Sequence, residues 1–193
     1  MTCIVGVVDQ GVVYMGGDSA GVGGYDLTVR RDRKVFRNGD FLIGCTSSFR
    51  MTQLLCYTFT PPAYDAAIVL ERYLTTSFVD AVRECFKTGG YAQKDREQEW
   101  AGRFLVGFQG HLFFIDSDYQ VGEALDAYDA VGCGADIAKG VLFATPDMQP
   151  RKRLELALKA AERHNAAVRA PFFLEKLEMN TCVASASVTP AEG

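Results

Sequence analysis

Three residues near the start of the chain have the types needed for nucleophilic chemistry: Thr2, Asp18 and Lys34. A threonine hydroxyl is a weak nucleophile unless a base sits beside it. A free α-amino group on the same residue supplies that base, directly or through one water. The reference pKa of such an amine is about 7.7–8.0, so a useful fraction is neutral at working pH, as a general base requires. Met1 must be removed for this to happen, and the small side chain of Thr2 permits it. A lysine near the hydroxyl would stabilise the developing alkoxide and depress the amine pKa by like-charge repulsion. It needs an anionic partner to stay charged in a half-buried site, and Asp18 is the candidate.

Taken singly, each residue has an ordinary reading. A threonine at position 2 is usually only a threonine. Gly17-Asp18-Ser19 has the composition of a turn. Lys34 closes a short basic run with Arg30, Arg31 and Arg33 that reads as a solvated loop. The combination acquires meaning if three neighbouring strands bring these residues together.

The patterning supplies such strands. Residues 3–8 and 12–16 are apolar and β-rich around Asp9-Gln10-Gly11, a hairpin signal. Residues 19–25 hold three glycines and read as a loop or irregular strand. Residues 34–36 and 41–45 flank Asn38-Gly39-Asp40, a strong hairpin turn. The first 45 residues therefore predict a largely antiparallel meander. A helix follows over 48–57, broken by Pro61-Pro62. A long amphipathic helix is predicted over 65–87, with Ile68, Leu70, Tyr73, Leu74, Phe78, Val82, Cys85 and Phe86 on its core stripe and Gly89-Gly90 at its end. Residues 91–100 read as a solvated loop, and 100–109 with 111–116 as a hairpin around Gly110. His111 falls at that turn and receives no catalytic role. Helices are predicted over 136–144 and 151–165, the second with Leu154, Leu156, Leu158 and Ala161 apolar. A strand is predicted over 172–179, and the tail from about 180 is expected to fray. Two antiparallel sheets packed face to face, with helices on both outer sides, satisfy this order. A generic α+β fold also does.

Composition narrows the class. A chain of 193 residues with 48 % apolar and 23 % charged residues suggests one domain over residues 1–193, with a sizeable core. The net charge of −4 gives no support for nucleic-acid binding. No charged n-region and apolar h-region opens the chain, and no apolar run is long enough to span a bilayer. Six cysteines without a secretory signal point to free thiols in a reducing, cytoplasmic setting. They form no CxxC pair, which argues against a zinc site.

The stretch Thr2-Cys3-Ile4-Val5, the pair Gly17-Asp18 and Lys34 resemble the N-terminal-threonine peptidases, the proteasome β-subunits and the bacterial HslV peptidase. Both intervals match without a gap. The resemblance implies a four-layer αββα sandwich (the fold of N-terminal-nucleophile hydrolases), with Thr2 as nucleophile and Asp18 and Lys34 in support. HslV-like chains carry only an initiator methionine before the threonine, so no propeptide is expected. The likeness covers roughly residues 2–178 and is faint over 50–125.

Three further positions come from the resemblance alone. The family's oxyanion amide falls on Ser47, where the family usually has glycine. The family serine that bonds the threonine amine falls on Cys133, in Gly132-Cys133-Gly134. A family aspartate falls on Asn165. The resemblance also implies a peptide or unfolded-protein substrate, stacked homo-oligomeric rings and an ATP-driven unfoldase. No cofactor is expected for hydrolysis, and a structural monovalent or divalent cation near the Asn165 loop is left open. Two alternatives stand beside this reading. One is an amidohydrolase of the same superfamily acting on small amides, with Cys3 as nucleophile. The other is a ring subunit with a degenerate site, suggested by Cys133 and Asn165.

Overall fold

The computed structural model describes residues 1–179. The tail expected to fray lies outside the described residues. The chain begins with strands β1 (Cys3–Asp9) and β2 (Val12–Gly17), joined by the Gln10-Gly11 turn. A small hairpin follows, β3 (Ala20–Gly23) and β4 (Asp26–Val29). The Asn38-Gly39 hairpin joins β5 (Val35–Asn38) to β6 (Phe41–Cys45). Helix α1 (Phe49–Tyr57) is capped by the Ser48 hydroxyl, which accepts from Arg50 N at 3.1 Å.

The expected long helix is shorter and irregular. It begins at α2 (Leu70–Tyr73), passes through a π-helical turn (Leu74–Phe78) and continues as α3 (Val79–Thr88). Asp65 does not start it. Its side chain accepts from Ala67 N at 2.9 Å and its carbonyl from Ile68 N, a local turn that competes with helix formation. Ile68 consequently lies outside the stripe and is exposed. The expected loop at 91–100 contains a hairpin, β7 (Gln93–Asp95) and β8 (Gln98–Trp100). Its turn residues Arg96 and Glu97 both have positive φ, so the turn lacks the Asn-Gly signature that makes such hairpins readable.

Strands β9 (Phe104–Phe108) and β10 (His111–Ile115) form the expected hairpin. Two strands that the pattern does not announce follow, β11 (Val121–Glu123) and β12 (Tyr128–Gly132). Helices α4 (Ala135–Ala144) and α5 (Pro150–His164) precede β13 (Phe173–Leu177). Pro150 suits the first turn of α5, where its missing N–H costs nothing. Of the apolar residues named on this helix, Leu156 is exposed, while Leu154, Leu158 and Ala161 are buried together with Ala157.

Two antiparallel sheets result, ordered β12-β1-β2-β13 and β11-β10-β9-β6-β5. Helices α4 and α5 cover the first through Cys3, Val5, Val7, Leu142, Leu154 and Leu158. Helices α1 and α3 cover the second through Ile43, Met51, Leu55, Phe78, Phe86 and Phe104. Between the sheets lie Ile4, Val13, Met15, Val35, Leu42 and Leu105. This is a four-layer αββα sandwich. The alternation of β1 explains it: Cys3, Val5 and Val7 face the helices while Ile4 faces the other sheet. No described helix is long and apolar enough to cross a membrane.

The sheets approach closely at Gly44, where a Cβ would lie 2.5 Å from both Ile4 Cγ2 and Met15 Sδ. Gly44→Ala is therefore expected to destabilise the fold by about 1–3 kcal/mol through overpacking, read as a lower urea midpoint with helix content retained in the folded baseline.

Candidate active site

The site forms where β1 and β2 meet the start of β5. Gly17 at the end of β2 permits this approach, since a Cβ there would lie 2.8 Å from Ile4 Cδ1 and 3.1 Å from Val35 Cγ2. The main chain then turns, Asp18 N donating to Cys3 O at 3.3 Å, and aims the Asp18 carboxylate back at Thr2.

Five donors converge on that carboxylate. Thr2 Oγ1 donates to Oδ1 at 2.5 Å, Cys3 N at 2.9 Å and Lys34 Nζ at 2.8 Å. Ala20 N donates to Oδ2 at 2.9 Å and Arg169 N at 3.3 Å. Thr2, Asp18 and Lys34 are all buried, at 2 %, 1 % and 4 % exposure. The structure thus gathers the three residues that the sequence singles out, and binds hydroxyl and ammonium to one oxygen. Burial pushes the Lys34 ammonium below the ordinary lysine range, and the charge and hydrogen bond of Asp18 oppose that shift.

The turn in which Ala20 N donates to Asp18 Oδ2 agrees with the turn composition of Gly17-Asp18-Ser19. The Arg169 amide was not legible in the sequence, because it arrives from a loop 151 residues away. That loop is docked beside the site, with Ser19 N donating to Arg169 O at 2.8 Å and Ser19 Oγ to Pro171 O at 2.6 Å.

Ser47 lies beside Thr2 in the same pocket, with Lys34, Thr46 and Phe49. Its φ is +64°, the left-handed region that favours glycine, so serine keeps the conformation that glycine would adopt. Its hydroxyl helps hold the turn, accepting from Arg103 N at 3.2 Å and lying 3.1 Å from Thr46 Oγ1. Gly102 makes room, since a Cβ there would meet Ser47 Cβ at 2.6 Å.

Cys133 and Asn165 stand on the other side of Thr2. The thiol is within donating distance of Thr2 O at 3.3 Å and Asn165 Oδ1 at 3.5 Å. Asn165 Nδ2 donates to Cys133 O at 2.8 Å, and Gly134 N to Thr2 O at 3.3 Å. Gly132 makes the approach possible: its φ is +102°, and a Cβ would lie 2.3 Å from Thr2 O. All six residues singled out at these positions therefore border Thr2 or one another.

Cys3 is not placed for nucleophilic attack. It is fully buried on the helix side of β1. Burial, reinforced by the Asp18 charge, pushes its thiol up to about 12, so the thiolate that attack needs is scarce. His111 lies at the surface, 2.8 Å from Glu123. Among the described residues, no group of His, Cys, Asp and Glu could hold a metal ion.

No protein-family model matches the chain, and a search of curated proteins finds no match. Solved structures do match. BPH from Thiobacillus denitrificans, solved in complex with epoxomicin, has a TM-score of 0.76 at 19 % identity, covering 92 % of this chain and 99 % of that one. A eukaryotic HslV from Trypanosoma brucei has a TM-score of 0.65 at 20 % identity, covering 92 % and 99 %. Anbu from Hyphomicrobium sp. strain MC1 has a TM-score of 0.64 at 19 % identity, covering 93 % and 84 %. The class defined here is a fold: the four-layer αββα sandwich of this chain is the one shared by BPH, HslV and Anbu.

Removing one member of a buried ion pair leaves an uncompensated charge and costs about 3–5 kcal/mol. Asp18→Asn is expected to destabilise by that amount in urea denaturation. The double variant Asp18→Asn, Lys34→Met should recover most of it. No recovery would place the cost in the lost backbone bonds of Asp18 and not in the ion pair.

Proposed function

We propose that the protein is a threonine-type peptidase acting through Thr2 once Met1 is removed. The observation that carries this reading is the shared oxygen, Asp18 Oδ1, which holds the Thr2 hydroxyl at 2.5 Å and the Lys34 ammonium at 2.8 Å in a buried site. In the structure Thr2 N is the amide of the Met1–Thr2 peptide bond, so it carries no basic lone pair. Hydrolysis of that bond would create the amine on the same residue as the hydroxyl.

Thr2 Oγ then attacks a peptide carbonyl. Its proton passes to the α-amine, directly or through a water. The new Oγ–C bond gives a tetrahedral oxyanion, and the Ser47 N–H is the candidate donor for it. That amide gives no hydrogen bond among the described residues, whereas Ser48 N is already engaged with Thr46 O at 2.7 Å. Collapse breaks the C–N bond, the leaving amine takes the proton, and an ester to Thr2 remains for water to hydrolyse. Lys34 stabilises negative charge on Oγ. Cys133, Gly134 and Asn165 fix the Thr2 main chain, and with it the amine.

The fold likeness supports the wider expectations of peptide or unfolded-protein substrates, stacked homo-oligomeric rings and a cytoplasmic setting. An ATP-driven unfoldase as partner and hydrolysis without a cofactor belong to the same reading, which leaves a structural cation near the Asn165 loop open.

The decisive test uses a peptide epoxyketone, which closes a ring with both hydroxyl and amine of an N-terminal threonine. Intact mass should show loss of Met1 and one adduct, absent in Thr2→Ala. Peptide hydrolysis should fall by about 10³-fold or more in that variant, the scale seen when a nucleophile is removed from an acyl-transfer site. Retained Met1, no adduct and no hydrolysis would instead identify a non-catalytic subunit.

A further inference from the structure

The pocket beside Thr2 is walled by Lys34, Thr46, Ser47, Thr52 and Phe49. Four of these are hydroxyl residues or the paired lysine; Met1 also lines the pocket but leaves it on maturation, and Phe49 is the large residue that stays. It is the first residue of α1, half-buried, and its position is set by the Ser48 cap.

Its ring is flanked by two cations, Arg30 from beyond the lining and Lys34 within it. The Arg30 guanidinium lies over it, with Cζ 3.7 Å from the ring centroid, and Lys34 Nζ is 5.8 Å from the same centroid. Arg30 is itself locked. Nε and Nη2 donate to the two oxygens of Asp32 at 2.8 and 2.9 Å, and Arg30 N donates to Ser19 O at 2.8 Å. Gly21 leaves the channel for its stem, since a Cβ there would lie 2.6 Å from Arg30 Cδ. A fork fixed at one end and stacked at the other loses little further freedom. The aromatic wall is therefore braced and does not swing freely.

The geometry points to Phe49, clamped by Arg30, as the residue that sets which side chain is accepted next to the cleaved bond: a small one. This rests on the peptidase reading and adds a substrate class to it. One feature carries it: the ring, stacked against Arg30, occupies space that a large side chain would need.

The test compares fluorogenic peptides that differ only in the residue before the scissile bond: alanine, leucine, phenylalanine or lysine. The wild type should cleave after alanine with the highest kcat/KM. Phe49→Ala should raise the phenylalanine-to-alanine ratio of kcat/KM by about tenfold or more, the scale on which pocket shape discriminates apolar side chains. Arg30→Gln, which keeps the ring but frees it, should raise the ratio by less. Epoxyketone adduct formation at Thr2 is followed in the same preparations. An adduct with an unchanged ratio in Phe49→Ala, or wild-type preference for phenylalanine or lysine, overturns the clamp and leaves the peptidase reading standing. No adduct in any preparation overturns both.

Discussion

An ion pair buried at a junction of strands is the constraint on which the rest of this structure depends. Asp18 and Lys34 leave almost no surface in contact with water, and burying two charges costs several kcal/mol per ion before compensation. Compensation comes from the number of donors and their origins. Asp18 collects a hydroxyl, an ammonium and three backbone N–H groups. These belong to β1 and the residue before it, to the first residue of β3, to the residue before β5, and to the loop after α5. Each segment must be in place for the carboxylate to be satisfied. The sandwich and the site are therefore specified together: the packing brings the donors, and the carboxylate fixes where the packing ends.

Glycines at the same junction serve close approach more than flexibility. Gly17 lets β2 close on Ile4 and Val35, and Gly132 lets the turn after β12 press on the Thr2 carbonyl. Against this backbone the three unusual side chains can be judged physically. Ser47 adopts the left-handed conformation and adds its own bonds to the turn. Cys133 and Asn165 bond to each other and, through the thiol, to Thr2. A thiol is a weak donor, so the Thr2 main chain relies on Gly134 N as well. The exchanges weaken individual contacts without opening the site.

The β1–β2 and β5–β6 hairpins were legible because their signals are local: apolar runs around Gln10-Gly11 and Asn38-Gly39; the expected single meander is instead divided among three sheets, with residues 20–29 forming a hairpin of their own. The triad of Thr2, Asp18 and Lys34 was legible from residue type and interval, although its members flank β1, β2 and β5, strands of two different sheets with the β3–β4 hairpin between them in the chain. Strand β12 was invisible, although it pairs with β1 along its length, because Tyr128-Asp129-Ala130-Val131-Gly132 is short and carries a charge. Its strand character comes from its partner, not from its own propensity. The β7–β8 hairpin was missed because its turn uses Arg96 and Glu97 where glycine or asparagine would announce it. The Arg169 donor and the Arg30–Phe49 stack were unreadable for a third reason: they join segments that only the finished fold brings together.

Fold likeness at about 19 % identity does not choose between a working peptidase and a subunit that merely keeps the architecture. The energetics of the site bear on that choice more directly. A buried ion pair is weak evidence for stability, since apolar residues of similar volume often serve packing as well or better. Had packing been all that this position required, Asp18 and Lys34 would be an expensive solution. Their placement gains a reason from the third group on the same oxygen. A hydroxyl at 2.5 Å from Asp18 Oδ1, with an ammonium on that oxygen and an amide nitrogen one bond from becoming an amine, is an arrangement that chemistry needs and packing does not.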